Sequence, residues 1–324
     1  MNDTHPFGLT GFSETLICVR NIADYLHTFV NIGGWQLIYQ GETDESVLAA
    51  WQLPAGTRAK EVLIGYPGEL SGRIRLVQFE NVRQKVIRSN DQPWETGGIF
   101  DINIRIDDMA AVAPKMTAAH WQAQSDPVRL SFGPYTVNEW VPRFSDGTRL
   151  ALIERISPPL TGWPDMRHFS RVFNSTQIVK DMPRAMHFYQ NILGMKPVIH
   201  SKAPENSPGP NILSLPHQLA DKTVRETCML HPAGGAEGSV ELIALEGMDG
   251  RDFSQNANLP DLGIIALTFH VSALDDFYEY LAGHDADIIM SPRHLVSAPY
   301  GVRYQMAVRA PDGAWLIFSE NTKT

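Results

Sequence analysis

The sequence is poor in cysteine and in positive charge, and it has no long apolar run. Among its 324 residues are only two cysteines, Cys18 and Cys228, too few for a disulfide framework or a four-thiolate zinc site. Both lie in apolar stretches, where we expect buried, inert thiols. The 27 lysines and arginines are outnumbered by 36 acidic residues, so the net charge is −9, and no dense basic stripe offsets it. A nucleic-acid partner is therefore not expected.

Targeting and membrane signals are also missing from the sequence. Residues 1–6 lack the basic head and the apolar stretch of a signal peptide. No segment approaches the roughly 20 apolar residues that a membrane helix needs. With 43% hydrophobic and 19% charged residues, the composition is that of a globular protein, and the length suggests two domains. We expect a cytoplasmic protein with no membrane partner.

The most informative feature that is present is internal repetition. Four short apolar strands each lead into the start of a helix, where Asn, Asp or Ser can accept hydrogen bonds from the first helical turn. The strands are residues 15–19, 102–106, 175–179 and 267–271, and the capping candidates after them are Asn21, Asp108, Asp181 and Ser272. In the third copy, Ala185, Phe188, Tyr189 and Leu193 form an apolar helical stripe that Gly194 ends.

The repeats also have a longer period. The strand ends Val19 and Val179 lie 160 residues apart, and Ile106 and Val271 lie 165 apart. Two Asp-Gly hairpin signals, at 146–147 and 312–313, are offset by 166 residues, and each leads into an apolar strand. Two independent markers at nearly the same offset indicate a tandem duplication, with two strand–helix–strands modules in each half.

Proline and glycine mark the expected boundary between the halves. Residues 157–164 hold three prolines and one glycine, which prevent continuous helix or ladder pairing. The sequence therefore predicts an N-terminal domain over residues 8–157, a linker over 158–167 and a C-terminal domain over 168–322. A second stretch rich in proline and glycine, residues 204–216, predicts a long loop, either a functional lid or a merely mobile segment.

At this point the residues resemble a known family. Residues 177–195, QIVKDMPRAMHFYQNILGM, resemble the opening of the βαβββ module of the vicinal oxygen chelate superfamily. That superfamily includes glyoxalase I, extradiol dioxygenases, fosfomycin-resistance enzymes and bleomycin-binding proteins. Residues 310–315, APDGAW, are similar to its Pro-Asp-Gly hairpin. The resemblance covers residues 10–322. It implies an α+β fold of four βαβββ modules, forming two glyoxalase-like domains whose curled mixed sheets enclose cup-shaped pockets.

The resemblance also implies where metal ligands would lie, on the first and the last strand of each module. Strand alternation points such side chains into the cup. In this sequence the positions hold Glu14, Arg75, Asp101 and Ala151 in the first half, and Asn174, Glu241, Ala266 and Ile317 in the second. The positively charged Arg75 would repel a divalent cation and is expected to pair with Glu14 or Asp101. Only Glu241 is a good match in the second half, so neither half carries the ligand set intact. The cofactor stays open: one divalent ion (Fe, Mn, Zn or Ni) or none.

His270 lies four residues after the ligand position at Ala266. It keeps the same strand face but is displaced by about 13 Å. Two interpretations stay open, a hydrogen-bonded structural histidine and a proton-transfer group of the pocket. The catalytic tyrosine and the histidine of the dioxygenases would fall near Ala307 and Val302, although His294 and Tyr300 in the adjoining loop are candidates to replace them. Since no iron-binding triad is recognisable, ring cleavage is not favoured.

The candidate site residues fall into two groups. In the first half, Glu14, Arg75, Asp101 and Arg105 either form a self-satisfied network or bind a substrate carboxylate or carbonyl. In the second half, Glu241 and His270 are the candidate catalytic acid/base pair, because a carboxylate in apolar surroundings can act as a base. The candidate substrate-binding residues beside them are Asn174, Thr176, Thr268 and Ser319.

Three functional hypotheses follow. The first is an enzyme of the superfamily, an isomerase, a lyase or a dioxygenase-like enzyme. It would act in the C-terminal pocket on a small oxygenated compound, with an aromatic compound as one option. The second is a metal-free protein of the bleomycin-resistance type that binds and sequesters a small molecule. The third is a subunit that keeps the fold without the chemistry. In each case we expect a monomer or a homodimer.

Overall fold

The computed structural model describes residues 5–90, 92–163, 166–205 and 211–321. Each of the four expected modules is present in these ranges as a strand, a helix and three further strands. Module 1 comprises β1 (Phe12–Cys18), α1 (Ile22–Leu26), β2 (Gln36–Glu42), α2 (Glu45–Ala50), β3 (Arg58–Gly65) and β4 (Arg73–Glu80). Module 2 comprises β5 (Asp101–Ile106), α3 (Met109–Ala118), β6 (Val128–Phe132), β7 (Tyr135–Trp140) and β8 (Leu150–Ser157).

The second half repeats this order. Module 3 comprises β9 (Phe169–Ile178), α4 (Met182–Met186), β10 (Lys196–Pro204), α5 (His217–Ala220), β11 (Val224–His231) and β12 (Ser239–Glu246). Module 4 comprises β13 (Gly263–His270), α6 (Leu274–Ala282), β14 (Asp287–Val296), β15 (Val302–Arg309) and β16 (Trp315–Asn321). The helices α1 and α4 both continue into a π-helical turn, His27–Ile32 and His187–Ile192. This irregularity recurs after 160 residues, as a tandem duplication predicts.

Three of the four expected helix caps are present. The side chains of Asn21, Asp108 and Asp181 accept hydrogen bonds from the first turns of α1, α3 and α4. The expectation for Ser272 is wrong, because its hydroxyl donates to the backbone carbonyl of Phe7 instead. The first turn of α6 is satisfied from a distant strand, since the Leu274 N–H donates to Glu320 Oε2 at 2.8 Å.

The strands form two eight-stranded mixed sheets. The first has the order β14-β15-β16-β13-β1-β4-β3-β2 and the second β10-β11-β12-β9-β5-β8-β7-β6. Modules 1 and 4 therefore share one sheet through the antiparallel pair β1–β13, and modules 2 and 3 share the other through β5–β9. The sequence predicts modules 1 and 2 in one domain and modules 3 and 4 in the other. That expected pairing is wrong, because the sheets join module 1 to module 4 and module 2 to module 3. The chain boundaries at 157 and 168 stay a prediction, and residues 164, 165 and 322 lie outside the described ranges.

One large apolar cluster joins the two sheets and the helices. Alternate strand residues pack there against aromatic side chains that are almost fully buried, among them Tyr25, Trp121, Phe169, Phe277 and Phe318. The third-module stripe from Ala185 to Leu193 belongs to the cluster, and Gly194 ends it with a φ of +67°. Cys18 and Cys228 are buried free thiols, as expected. Within the described ranges, no helix combines the length and the apolar character needed to cross a membrane.

The concave face of each sheet forms a cup with its own smaller apolar cluster. We call the face shared by modules 1 and 4 the first cup and the face shared by modules 2 and 3 the second cup. Leu16, Ala266 and Ile317 pack in the first cup. In the second cup, Ala151 and Ile243 pack against Leu213, Leu215 and Ala220. The described end of the expected loop over residues 204–216 thus covers the second cup, while residues 206–210 lie outside the described ranges.

Candidate functional site

The first cup contains a buried ion network centred on Arg75. Its Nε lies 2.7 Å from Glu14 Oε1, its Nη1 lies 3.0 Å from Glu61 Oε1, and Nη1 also donates to the carbonyl of Ala298 at 2.9 Å. Burial by itself would lower the pKa of Arg75, but the two carboxylates outweigh it and raise that pKa. The expected pair of Arg75 with Glu14 is therefore present, whereas Asp101 lies in the other cup.

A hairpin tip closes the first cup over this network. Tyr300, between β14 and β15, donates its hydroxyl proton to Glu14 Oε2 at 2.9 Å and accepts a hydrogen bond from Arg73. Val47 and Trp51, from α2 and its end, also line the remaining cavity, which measures about 40 Å³. That volume holds a few water molecules at most. The first cup is filled by its own side chains.

The second cup brings together residues from both halves of the chain. Strand register places Asp101 opposite Thr176, and Thr176 opposite Glu241. Asn103 Nδ2 donates to Asp101 Oδ1 at 3.2 Å and to Thr176 Oγ1 at 3.1 Å. Thr176 Oγ1 in turn donates to Glu241 Oε2 at 3.1 Å. Because Asn174 also lies here, next to Met229, the second cup holds a continuous polar row on an otherwise apolar surface.

Three carboxyl groups in the second cup have raised pKa values. Burial raises the pKa of Asp101 to about 7, and the charge of Glu241 adds to the shift. Burial and the charges of Glu241 and Asp101 raise the pKa of Glu139 to about 8, while burial also raises that of Glu241. Within the described part of the chain, none of the three makes an ion pair. Asp101 is 3% exposed, whereas Glu139 and Glu241 are half-buried.

Sequence reasoning did not find Glu139. It lies on β7 between Val137 and Val141, and Val141 belongs to the apolar cluster of the second cup. Strand alternation puts these three residues on one face. The available sequence signal was one acidic residue, Glu139, between two apolar residues on the same strand face. Glu139 was not selected from the sequence because the family's ligand positions lie on other strands.

The structure separates the expected catalytic pair. Glu241 lies on β12 in the second cup, whereas His270 ends β13 in the sheet of the first cup. His270 is half-buried and shares its strand face with Thr268, which lines the first cup. The two residues belong to different sheets, so the expectation that they act together is wrong.

The remaining expected site residues are divided between the cups in the same way. In the first cup, Thr268 and Ser319 lie near Glu14 and Arg75, and Ser319 accepts a hydrogen bond from Gln305. In the second cup, the other residues are Asp101, Arg105, Asn174 and Thr176. Each predicted group of site residues is thus split across the two sheets.

Neither cup matches the family's metal-ligand set. In the first cup, the guanidinium of Arg75 lies among the ligand positions, and Ala266 and Ile317 carry no donor atom. In the second cup, Asp101, Asn174 and Glu241 offer oxygen atoms, but the fourth position is Ala151. Asn174 Oδ1 is buried without a hydrogen-bond partner. Among the described residues, no three His, Cys, Asp or Glu side chains are grouped closely enough to hold a metal ion.

Comparison with known proteins agrees with this architecture. A family model for the glyoxalase/bleomycin resistance protein/dioxygenase superfamily matches residues 167–318. The match covers 152 of the 324 residues, all of them in the second half of the chain. The two-domain glyoxalase-like fold extends over both halves, and members of this superfamily often bind a divalent metal ion.

Solved structures show the extent of the shared fold. Glyoxalase I from Zea mays aligns with a TM-score of 0.63 at 16% identity, over 97% of this chain and 93% of that chain. A putative dioxygenase from Bacillus subtilis subsp. subtilis str. 168 aligns with a TM-score of 0.59 at 13% identity, over 97% and 86% of the respective chains. A search of the curated proteins finds no match. At these identities the likeness establishes the fold alone.

Proposed function

We propose that this glyoxalase-superfamily chain is an enzyme that moves a proton on a small oxygenated organic compound bound in the second cup. The observation that carries the proposal is the convergence of Asp101, Glu139 and Glu241 without a neutralising ion pair. Carboxyl groups with raised pKa values are suited to general acid–base catalysis near neutral pH. The reaction class is an isomerisation, an epimerisation or a lyase step.

The geometry supports a division of roles. Glu241 is half-buried and is held by Thr176, so its carboxylate is the candidate base that removes a proton from a carbon next to a carbonyl group. The electron pair then moves to the carbonyl oxygen. Glu139, with a pKa of about 8, is mostly protonated at pH 7 and is the candidate acid that protonates this oxygen. Asp101 is linked to Glu241 through Asn103 and Thr176 and completes the row. No step in this scheme requires a metal ion.

Proton exchange tests the proposal directly. We would incubate the protein with a panel of small carbonyl compounds in D₂O and follow deuterium incorporation beside the carbonyl by proton NMR. Glu241→Gln is expected to slow exchange by about 10²-fold or more. The matched control is Glu246→Gln, at the exposed end of the same strand, which should exchange at the wild-type rate. Equal exchange in both variants would exclude Glu241 as the base.

A sequestering protein is the second candidate function. Ala151, Ala266 and Ile317 remove donor atoms from three of the family's ligand positions, and a protein that only binds its ligand does not need them. This candidate predicts that compounds of the same panel raise the melting temperature without deuterium exchange or other turnover. Exchange that depends on Glu241 would rule it out.

A further inference from the structure

Two arginines line one end of the second cup. Arg105 shares the inner face of β5 with Asp101, four residues further along the strand. On the neighbouring parallel strand β8, Arg155 shares the inner face with Ala151. The register places Arg105 opposite Ile153, so Arg155 is its diagonal neighbour, within reach of a long side chain. The two guanidinium groups therefore lie at the same end of the cup.

Aromatic rings hold both guanidinium groups in place. Arg105 Cζ lies 3.8 Å from the centre of the Phe173 ring, and Arg155 Cζ lies 4.1 Å from the centre of the Tyr135 ring. Stacking on a ring fixes the guanidinium plane and leaves the N–H groups at its edge for other partners. A group that is ordered before its ligand arrives loses less entropy on binding.

The hydrogen-bonding capacity of these arginines is not satisfied. Arg105 Nη2 pairs with Glu237 at 2.6 Å. Glu237 also pairs with Arg171, which in turn pairs with Glu69, so this end holds two carboxylates for three arginines, Arg155 included. Arg105 Nη1 and Arg155 Nε are buried and have no hydrogen-bond partner. Arg155 makes no ion pair with any described residue and is half-buried. This end of the cup therefore carries unneutralised positive charge and donors without acceptors, a costly arrangement unless a ligand completes it.

We propose that Arg105 and Arg155 form an anion-binding subsite of the second cup, and that the substrate carries a carboxylate group there. The inference rests on the proposed function and names its substrate class. A carboxylate accepts paired N–H groups from a guanidinium in one plane, which suits two pre-positioned arginines. Arg105 and Asp101 lie four residues apart, or about 13 Å along the strand. One ring or a short carbon chain could span the gap left between their side chains.

Glu139, on the strand next to Arg155, does not cancel this charge. Burial raises the pKa of Glu139 to about 8, so near neutral pH this residue is mostly uncharged. Arg225, on β11, already has a carboxylate partner, because its Nε lies 3.2 Å from Glu205 Oε2, and its charge also acts on Glu139 and Glu241. It is therefore a suitable control for the general effect of removing a positive charge.

Calorimetry with benzoate and benzamide tests the subsite, because the two compounds are similar in shape and differ in charge. We expect benzoate to bind and benzamide to bind at least tenfold more weakly. Arg155→Gln should weaken benzoate binding at least tenfold, and Arg225→Gln less than twofold. Arg105→Gln, once its melting temperature shows a folded protein, should match Arg155→Gln. The proposal is overturned if both compounds bind equally, if Arg225→Gln is as damaging as Arg155→Gln, or if inorganic phosphate binds more tightly than benzoate.

Glu241→Gln separates this inference from the proposed function. The variant should keep benzoate affinity within threefold of wild type while losing proton exchange. Binding of benzoate that depends on Arg155, with no proton exchange on any compound, would support the subsite and refute the enzyme. Proton exchange on neutral compounds that is unaffected by Arg155→Gln would support the enzyme and refute the subsite.

Discussion

At the scale of single residues, the guanidinium of Arg75 occupies the middle of the first cup, among the positions at which the sequence resemblance implied metal ligands. Glu14 and Glu61 pair with Arg75 in a space that excludes almost all water. Such a network adds little stability compared with apolar side chains of the same volume, but removal of one partner leaves an unpaired buried charge. Arg75 is thus a structural requirement of this cup.

Arg75→Leu should lower the free energy of unfolding by about 3–5 kcal/mol, because it strands two buried carboxylates. The matched control is Arg58→Leu on β3. Arg58 also pairs with a strand carboxylate, Glu80, but the Arg58 side chain is 65% exposed. The control should lose less than about 1 kcal/mol. Urea unfolding curves measure both changes. Similar small losses in the two variants would contradict a structural role for Arg75.

Asp101 should make stability depend on pH. In the unfolded chain its carboxyl ionises near pH 4, whereas in the folded protein burial raises its pKa to about 7. The native state therefore holds an extra proton between these values, and its contribution to stability falls as the pH rises through this window. Asp101→Asn should remove up to about 1.4 kcal/mol per pH unit from the slope of the free energy of unfolding against pH. Urea unfolding at pH 5, 6 and 7 checks this. An unchanged slope would show that Asp101 ionises normally.

Removal of metal should leave the second-cup chemistry intact, because Ala151 interrupts the ligand set and the proposed steps use carboxyl groups alone. We expect dialysis against EDTA to change the rate of proton exchange by less than twofold. The measurement pairs the NMR assay with elemental analysis of the protein before and after dialysis. Loss of exchange that Fe²⁺, Mn²⁺, Zn²⁺ or Ni²⁺ restores would instead assign a metal to this cup.

At the scale of elements, helix starts are capped in two different ways. In α4 the cap is local, since Asp181 accepts a hydrogen bond from Arg184 N–H at 2.9 Å. In α6 it is supplied by Glu320 on β16, so the helix start depends on the sheet. Local caps can be found from sequence because donor and acceptor lie within a few residues. A cap from 46 residues away cannot.

Asp181→Ala should cost about 0.5–2 kcal/mol of stability, the usual range for loss of a helix cap. Ser272→Ala is expected to cost less, because its hydroxyl does not cap α6. Glu320→Ala should behave like Asp181→Ala although it lies on a strand. Thermal and urea unfolding of the three variants provide the comparison. A larger loss for Ser272→Ala than for Glu320→Ala would contradict the assigned cap.

At the scale of the whole molecule, the two halves of the chain are interlocked. Each sheet takes four strands from each half, and the seams β1–β13 and β5–β9 run through the centres of the sheets. Each half by itself would expose two open seams with unpaired backbone groups. The duplication visible in the sequence therefore does not correspond to two independent folding units.

We expect neither residues 1–160 nor residues 161–324 to form a folded monomer when expressed alone. Co-expression of the two segments should restore a stable 1:1 complex, because each provides the missing half of both sheets. Circular dichroism and light scattering after gel filtration measure folding and mass, and the same scattering experiment tests whether the full chain is a monomer or a homodimer. A folded, monomeric half would show that adjacent modules can pair in space.

The sequence by itself determined the modules, three of the four expected helix caps, the duplication and a carboxylate partner for Arg75, although it left that partner open between Glu14 and Asp101. These features depend on residue spacing, local hydrogen bonds and strand alternation, all of which can be read along the chain. Only the tertiary structure decided which modules share a sheet. The first strands of the four modules are alike in sequence pattern, so the pattern does not say which of them pair. That choice placed Glu241 with Asp101 and Glu139 rather than with His270. It thereby moved the candidate chemistry into a cup built from both halves.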